Sequence, residues 1–205
     1  SSETGYITVM KPQDAARKPG SAGRAVGQAK IRILDDAGRE LPSGEIGTIY
    51  AHQPAYSDFT YHGNEAARRA IERDGLASVG DMGYLDDEGF LYVCDRASDM
   101  VISGGVNIYP AEIEHVLITL PGIADCAVVG IPDEEFGEAL AAQVVAEAGA
   151  ALDAETIRRE LGLRIAGYKV PRHIDIVAIL PRDDNGKVQK RRIRDAYWSG
   201  KARRI

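Results

Sequence analysis

Asp95-Arg96-Ala97-Ser98-Asp99-Met100-Val101-Ile102-Ser103-Gly104-Gly105-Val106-Asn107-Ile108-Tyr109-Pro110-Ala111-Glu112-Ile113-Glu114 is the stretch on which the reading of this chain turns. Its opening is charged and short-sided. Met100 to Ile102 is an apolar run short enough for a strand. Gly104-Gly105 then break the pattern. Pro110 opens a helix, where a missing N–H leaves nothing unpaired. A polar crossing, a strand, a glycine loop and a helix start in twenty residues read as the passage into a second domain. The boundary is placed between residues 95 and 96. Residues 1–95 are β-rich without an obvious complete core. Residues 96–205 form an α+β unit of a size that folds alone.

Downstream, helix and strand patterns alternate. Ile113, Val116, Leu117 and Leu120 fall at i, i+3, i+4 and i+7, one stripe of an amphipathic helix that Pro121-Gly122 ends. Residues 124–131 and 140–147 read as strands joined by a polar segment, residues 133–138. Asp153 caps a second helix reaching residue 166, with Ile157, Leu161 and Ile165 inward and Gly167 closing it. Residues 172–180 alternate, placing Ile174, Ile176, Ala178 and Leu180 on one face. Asp184-Asn185-Gly186 is a tight turn before a last helix, residues 188–198.

Upstream, residues 1–28 are rich in glycine, proline and polar side chains. Residues 29–34 and 45–52 read as strands. Residues 64–73 read as a short helix capped by Asn64 and stopped by Gly75. Residues 83–93 form a hairpin turning at Asp86-Asp87-Glu88-Gly89.

Composition narrows the function classes. The chain has 205 residues, 44% hydrophobic and 27% charged, which suits a soluble protein with a buried core. No run approaches the roughly 18 apolar residues of a membrane helix, and no basic start with an apolar stretch marks a secretory signal. Cys94 and Cys126 lie in apolar strand-like runs, expected as buried thiols in a cytoplasmic setting rather than as a disulfide framework. A formal charge of −6 argues against nucleic acid as a main partner. The sign is uneven, however. Residues 186–205 hold Lys187, Lys190, Arg191, Arg192, Arg194, Lys201, Arg203 and Arg204 against Asp195 alone. Such a tail is a solvated helix face, a polyanion- or membrane-binding surface, or a phosphate-facing edge of an active site. The histidines, His52, His62, His115 and His173, have no ligand spacing, and no Cys-x-x-Cys or Ser/His/Asp pattern supports a zinc or hydrolase reading.

Two features carry chemistry. Lys187 directly follows Asn185-Gly186, so its flexible ammonium sits at a turn tip from which it reaches an anion held elsewhere; read alone, it is a surface lysine. Asp81, after Gly80, is a carboxylate at a strand start, suited to accept from two hydroxyls; Arg96 comes fifteen residues later. Read alone, these are a turn acid and a surface cation.

Taken in order, these patterns resemble the adenylate-forming (AMP-binding) superfamily of acyl-CoA synthetases, aryl-CoA ligases, luciferases and peptide-synthetase adenylation domains. The resemblance covers nearly the whole chain. It is closest to acyl- or aryl-CoA synthetases through Ile102-Ser103-Gly104-Gly105 with Asn107-Ile108-Tyr109-Pro110 and Glu112. It implies that Lys187, with Lys190-Arg191 just beyond it, contacts the α-phosphate and carboxylate during adenylation, where a cation stabilises the transition state. It implies that Asp81 binds the ribose hydroxyls, that Arg96 contacts the nucleotide, and that Gly104 and Gly105 line the channel of the phosphopantetheine arm. Ser2-Glu3-Thr4-Gly5 resembles the tail of a family motif in which the hydroxyl, here Ser2, binds a phosphate and the glutamate, here Glu3, binds Mg²⁺. Ser98 falls at the hinge. Many members have Asp or Lys there, and a small polar residue still absorbs a dihedral change.

The implied activity joins a carboxylic acid to CoA in two half-reactions, with ATP, Mg²⁺ and CoA, in settings such as fatty acid metabolism. The family's phosphate loop and acid pocket lie upstream of the Ser2-Glu3 motif. The chain is therefore expected to be the C-terminal portion: the β-rich end of a large domain plus a mobile lid, inactive by itself. Its partners would be the acid, ATP and CoA, with neither nucleic acid nor membrane insertion, and a homo-oligomer is left open. The rival readings are loading of a carrier protein, a luciferase-like oxygenase, or a non-catalytic interaction module using the basic tail.

Overall fold

In a computed structural model, which describes residues 3–199, the chain forms two compact α+β units, Ser1–Ser98 and Asp99–Ile205. The division falls three residues later than expected, because Arg96 completes a strand of the first unit.

The first unit is an eight-stranded sheet with two short helices. In chain order these are β1 (Thr8–Val9), α1 (Pro12–Ala15), β2 (Gly23–Ala25), β3 (Lys30–Leu34), β4 (Gly47–His52), α2 (Glu65–Ala70), β5 (Glu72–Arg73), β6 (Leu76–Ala77), β7 (Asp81–Leu85) and β8 (Phe90–Arg96). The strand order is β1-β2-β8-β7-β4-β6-β5, with β3 also on β4.

The helix capped by Asn64 is present, its side chain accepting from the Ala67 N–H at 3.1 Å. It is shorter than the pattern suggested. Asp74 and Gly75 both take positive φ, 52° and 75°. This is the conformation that a two-residue type I′ hairpin requires, so residues 72–77 fold back as β5 and β6 instead of continuing the helix.

Ile33, Ile49 and Leu91 form a small core. The pattern-poor N-terminal segment is held by the pairing of β1, β2 and β8 and by cations packed on one ring. Phe90 is fully buried beneath the Arg24 guanidinium, 4.3 Å from its ring centroid, with Arg17 and Lys18 at 5.3 and 5.2 Å. The Lys18 ammonium lies 2.7 Å from both Asp86 and Glu88. Their carboxylates, Asp86 foremost, raise its pKa.

The second unit contains β9 (Val101–Ser103), β10 (Val106–Ile108), α3 (Pro110–Leu117), β11 (Ile123–Asp133), β12 (Gly137–Ala146), α4 (Ala154–Gly162), a 3-10 turn (Gly167–Lys169), β13 (His173–Val177) and α5 (Lys190–Trp198). The sheet order is β10-β9-β12-β11, and β13 runs parallel along β12. Alternation on β11 and β12 sorts side chains to two cores. Val128, Leu140, Ala142 and Val144 face Ile113, Leu117, Ile157 and Leu161 of α3 and α4. Ala127, Val129, Ile131, Ala139 and Ala141 gather with Leu180 and Ile193, the latter from α5. Both faces are covered, which is why these strands read as unbroken apolar runs.

Three expectations change here. The second helix ends at Gly162, and Leu163 projects to solvent at 77% exposure. The strand predicted over residues 172–180 stops at Val177. Ile174 and Leu180 then lie in different cores and Ile176 is exposed at the sheet edge, so they share no single face. Cys94 and Cys126 are half-buried rather than enclosed. Burial, with Glu114 next in effect, pushes the Cys126 thiol up to about 12. Among the described residues no helix is long and apolar enough to cross a membrane.

One buried carboxylate joins β9 to β12. Glu138, 4% exposed, stands opposite Pro132, which has no N–H to donate. Its Oε2 accepts from the Ile102 N–H at 2.9 Å. Glu138→Ala leaves that donor without this acceptor and is expected to cost about 1–3 kcal/mol in urea unfolding of the whole chain. Glu138→Gln keeps an acceptor and is expected to lose less.

Candidate functional site

Asp81 and Arg96 are brought together by pairing of β7 with β8, where they are direct cross-strand partners. Arg96 Nε lies 3.5 Å from Asp81 Oδ1. Arg96 is 61% exposed and Asp81 32%, so water screens the pair and their mutual attraction is weak. Both remain available to a ligand. A backbone bond from the Ala97 N–H to the Gly80 carbonyl, 2.8 Å, closes the ladder just beyond them.

An open cleft of about 430 Å³ adjoins this pair in the first unit. Arg96 lines it together with Glu3, Thr48, Tyr50, Tyr61 and Ser78. The wall therefore combines a cation, a carboxylate, hydroxyls and two aromatic rings, a donor set suited to a polar anionic ligand with a flat ring. Glu3 is the oxygen donor expected for Mg²⁺. Among the described residues no group of three or more His, Cys, Asp and Glu could hold a metal. A cation there would take most of its oxygens from phosphate and water, as magnesium commonly does. Ser2 lies outside the described residues.

Ser98 is exposed, in a turn, at the last position of the first unit. Gly104 and Gly105 are not an open loop. They are the two-residue turn of a hairpin between β9 and β10, with φ of 56° and 80°. The sequence reading missed β10 because its residues, Val106-Asn107-Ile108, are too few to show a period. The Gly104 N–H donates to the Phe136 carbonyl at 2.9 Å, which fastens this tip to the β11–β12 turn.

Lys187 leaves a turn of five residues that is closed by its own side chains. Asp183 Oδ1 accepts from the N–H groups of Asn185 and Lys187, each at 2.9 Å. The Asp183 N–H donates to the Lys187 carbonyl at 2.9 Å. The Lys187 side chain is exposed, and among the described residues no carboxylate is paired with it. Of its basic neighbours, Lys190 is committed inward, 2.9 Å from Glu114 on α3. Arg191 faces Asp195 at 3.5 Å. Arg182, beside this turn, and Asp125, in β11, carry no signal in the sequence alone. The Arg182 guanidinium donates to the Gly186 carbonyl and to the Asp125 carboxylate of β11. No local pattern links positions so far apart in the chain.

Residues 112–187 match the family model of the AMP-binding enzyme C-terminal domain. The 2-succinylbenzoate–CoA ligase of Listeria monocytogenes is 39% identical over 93% of this chain and 38% of its own length. The indoleacetate–CoA ligase of Aromatoleum aromaticum is 44% identical over 90% of the chain and 36% of its own. A fatty acid–[acyl-carrier-protein] ligase, ScoC, of Streptomyces coeruleorubidus is 35% identical over 99% and 40%. Among solved structures, o-succinylbenzoate CoA synthetase of Bacillus subtilis with its acyl-adenylate intermediate superimposes with a TM-score of 0.88 at 36% identity, over 94% of this chain and 39% of that one. The same enzyme with ATP and magnesium ion gives 0.86 at 36% identity, over 93% and 39%. The chain thus spans between 36% and 40% of the length of these relatives.

Substitution separates the two turn glycines. A Cβ at Gly104 would stand 3.0 Å from the Phe136 ring, whereas one at Gly105 meets nothing within 4 Å. Both incur the left-handed penalty of roughly 1–2 kcal/mol. Gly104→Ala is therefore expected to lower the thermal midpoint further than Gly105→Ala, read by circular dichroism.

Proposed function

This chain belongs to the adenylate-forming superfamily of AMP-binding enzymes, and from that premise we propose that the protein carrying it joins a carboxylic acid to CoA. In the first half-reaction a carboxylate oxygen attacks the α-phosphorus of ATP. A new P–O bond forms, the bond to the β-phosphate oxygen breaks, and pyrophosphate leaves. In the second, the CoA sulfur attacks the acyl carbon, the bond to AMP breaks with its electron pair, and the thiol proton passes to solvent.

The observation that carries this reading is the Asp81–Arg96 pair beside the cleft. A carboxylate that accepts from two vicinal hydroxyls and a cation beside it suit a ribose and its phosphate. We assign Asp81 to the ribose, Arg96 and Ser2 to the nucleotide, and Glu3 to Mg²⁺, which when bound neutralises phosphate charge. Lys187 supplies a positive charge to the pentacoordinate phosphorus and the attacking carboxylate. Its exposed ammonium on a closed turn supports that role. Ser98 is the pivot, so that the second unit presents Lys187 in one half-reaction and the Gly104-Gly105 hairpin, along the pantetheine channel, in the other.

The second reading is transfer to a carrier protein, favoured by the match to the acyl-carrier-protein ligase over nearly the whole chain. The acceptor separates the two. AMP release by the protein carrying this chain, with a pooled carboxylate panel, is expected to require both acid and CoA. Turnover that ignores CoA but proceeds with a phosphopantetheinylated carrier would replace the first reading by the second.

Lys187→Ala is expected to slow adenylation by roughly 10²–10³-fold, the scale of one lost transition-state contact. Thioester formation from supplied acyl-adenylate is expected to be spared. Equal loss in both steps would refute the assignment of Lys187 to adenylation alone.

A further inference from the structure

We propose that Asp125 is a positioning residue, which through Arg182 holds the turn that presents Lys187. This rests on the adenylation role proposed for Lys187.

The geometry begins in β11. Ile123 stands opposite Ala146 and Asp125 opposite Val145, so Ala124 is an extra residue with no partner. A bulge of this kind re-aims the side chains beside it. Asp125 here meets the Arg182 guanidinium. The other terminal nitrogen of the same guanidinium donates to the Gly186 carbonyl, the peptide group immediately before Lys187. Arg182 also bridges Val188 across the base of the turn. One planar fork thus ties a strand of the central sheet to the peptide from which the lysine projects.

The segment C-terminal to Lys187 is tied to the same strand. Lys190 pairs with Glu114 at 2.9 Å, and Glu114 accepts from the Val128 N–H at 2.7 Å. Trp198 Nε1 donates to the Gly130 carbonyl at 2.9 Å. These links hold α5 on the sheet. The Asp125–Arg182 link alone among them reaches the turn itself.

Stability does not account for this arrangement. The Arg182 and Asp125 side chains are 40% and 32% exposed, and pairs this wet add little to folding. Aim is a different quantity. A displacement of about 1 Å at a reacting group costs up to roughly 10²-fold in rate, and a turn tip with an unfastened carbonyl has that freedom. The effect falls only on the step in which Lys187 acts.

The test uses the protein carrying this chain. Adenylation is read by acid-dependent pyrophosphate exchange, thioester formation from supplied acyl-adenylate, and folding by the thermal midpoint. Asp125→Ala is expected to lower the adenylation kcat roughly tenfold or more, with the KM for ATP and the midpoint little changed and thioester formation intact. Asp125→Glu, which keeps a carboxylate for Arg182, is expected to retain part of the rate that Asp125→Ala loses. Unchanged adenylation in Asp125→Ala overturns the proposal, as does a parallel fall of both half-reactions with the midpoint. Lys187→Ala run beside them keeps the two ideas apart. Full adenylation in that variant removes the role of the lysine itself, whereas its loss together with an unaffected Asp125→Ala removes only the positioning residue.

Discussion

The antiparallel ladder between β11 and β12 is the constraint on which the second unit depends. Its register runs from Ile123 opposite Ala146 to Asp133 opposite Gly137. Both faces are buried, one under α3 and α4, the other under α5. A slip of one residue would exchange the two faces, sending Leu140 where small Ala139 or Ala141 now sits. The register is thus specified by side-chain volume on both sides. The two hairpin tips also meet, through Gly104 and Phe136, and Arg172 covers the Phe136 ring while pairing with Asp133 at 2.6 Å.

In the first unit cations packed on an aromatic ring add to the sheet pairing. Phe90 is covered by Arg17, Lys18 and Arg24 from the chain's opening segment, and Asp86 and Glu88 hold those cations in turn. Such contacts leave no hydrophobic period to read. The same sheet aligns Asp81 with Arg96, and because the β7–β8 turn is short, positions fifteen residues apart become one cross-strand step.

The candidate residues obey one rule. Among the described residues each stands at an element's end or a turn, with paired strands behind it. Asp81 begins β7, Arg96 ends β8, Gly104 and Gly105 turn β9 into β10, and Lys187 leaves a turn closed by Asp183. The candidate side chains thus project from hydrogen-bonded turns and strand ends, and the scaffold sets their aim.

The sequence by itself determined the two-part α+β organisation, the amphipathic stripe of α3, the Asn64 and Asp153 caps, the hairpin through Asp86 to Gly89 and the residue types of the candidate site. These signals are local, because caps, turns and helical stripes are set by neighbours within a few positions. Short strands were less legible. β10 and the β5–β6 hairpin hold three or two residues a strand, too few for a period, and only the positive φ of the turn residues betrays them. Tertiary structure alone decided that Ile174 and Leu180 serve different cores, that the buried Glu138 carboxylate receives the Ile102 N–H, and that Asp125 reaches Arg182. Each of these joins positions whose relation is fixed by strand register and sheet twist, and a contact made across space leaves no spacing in the chain.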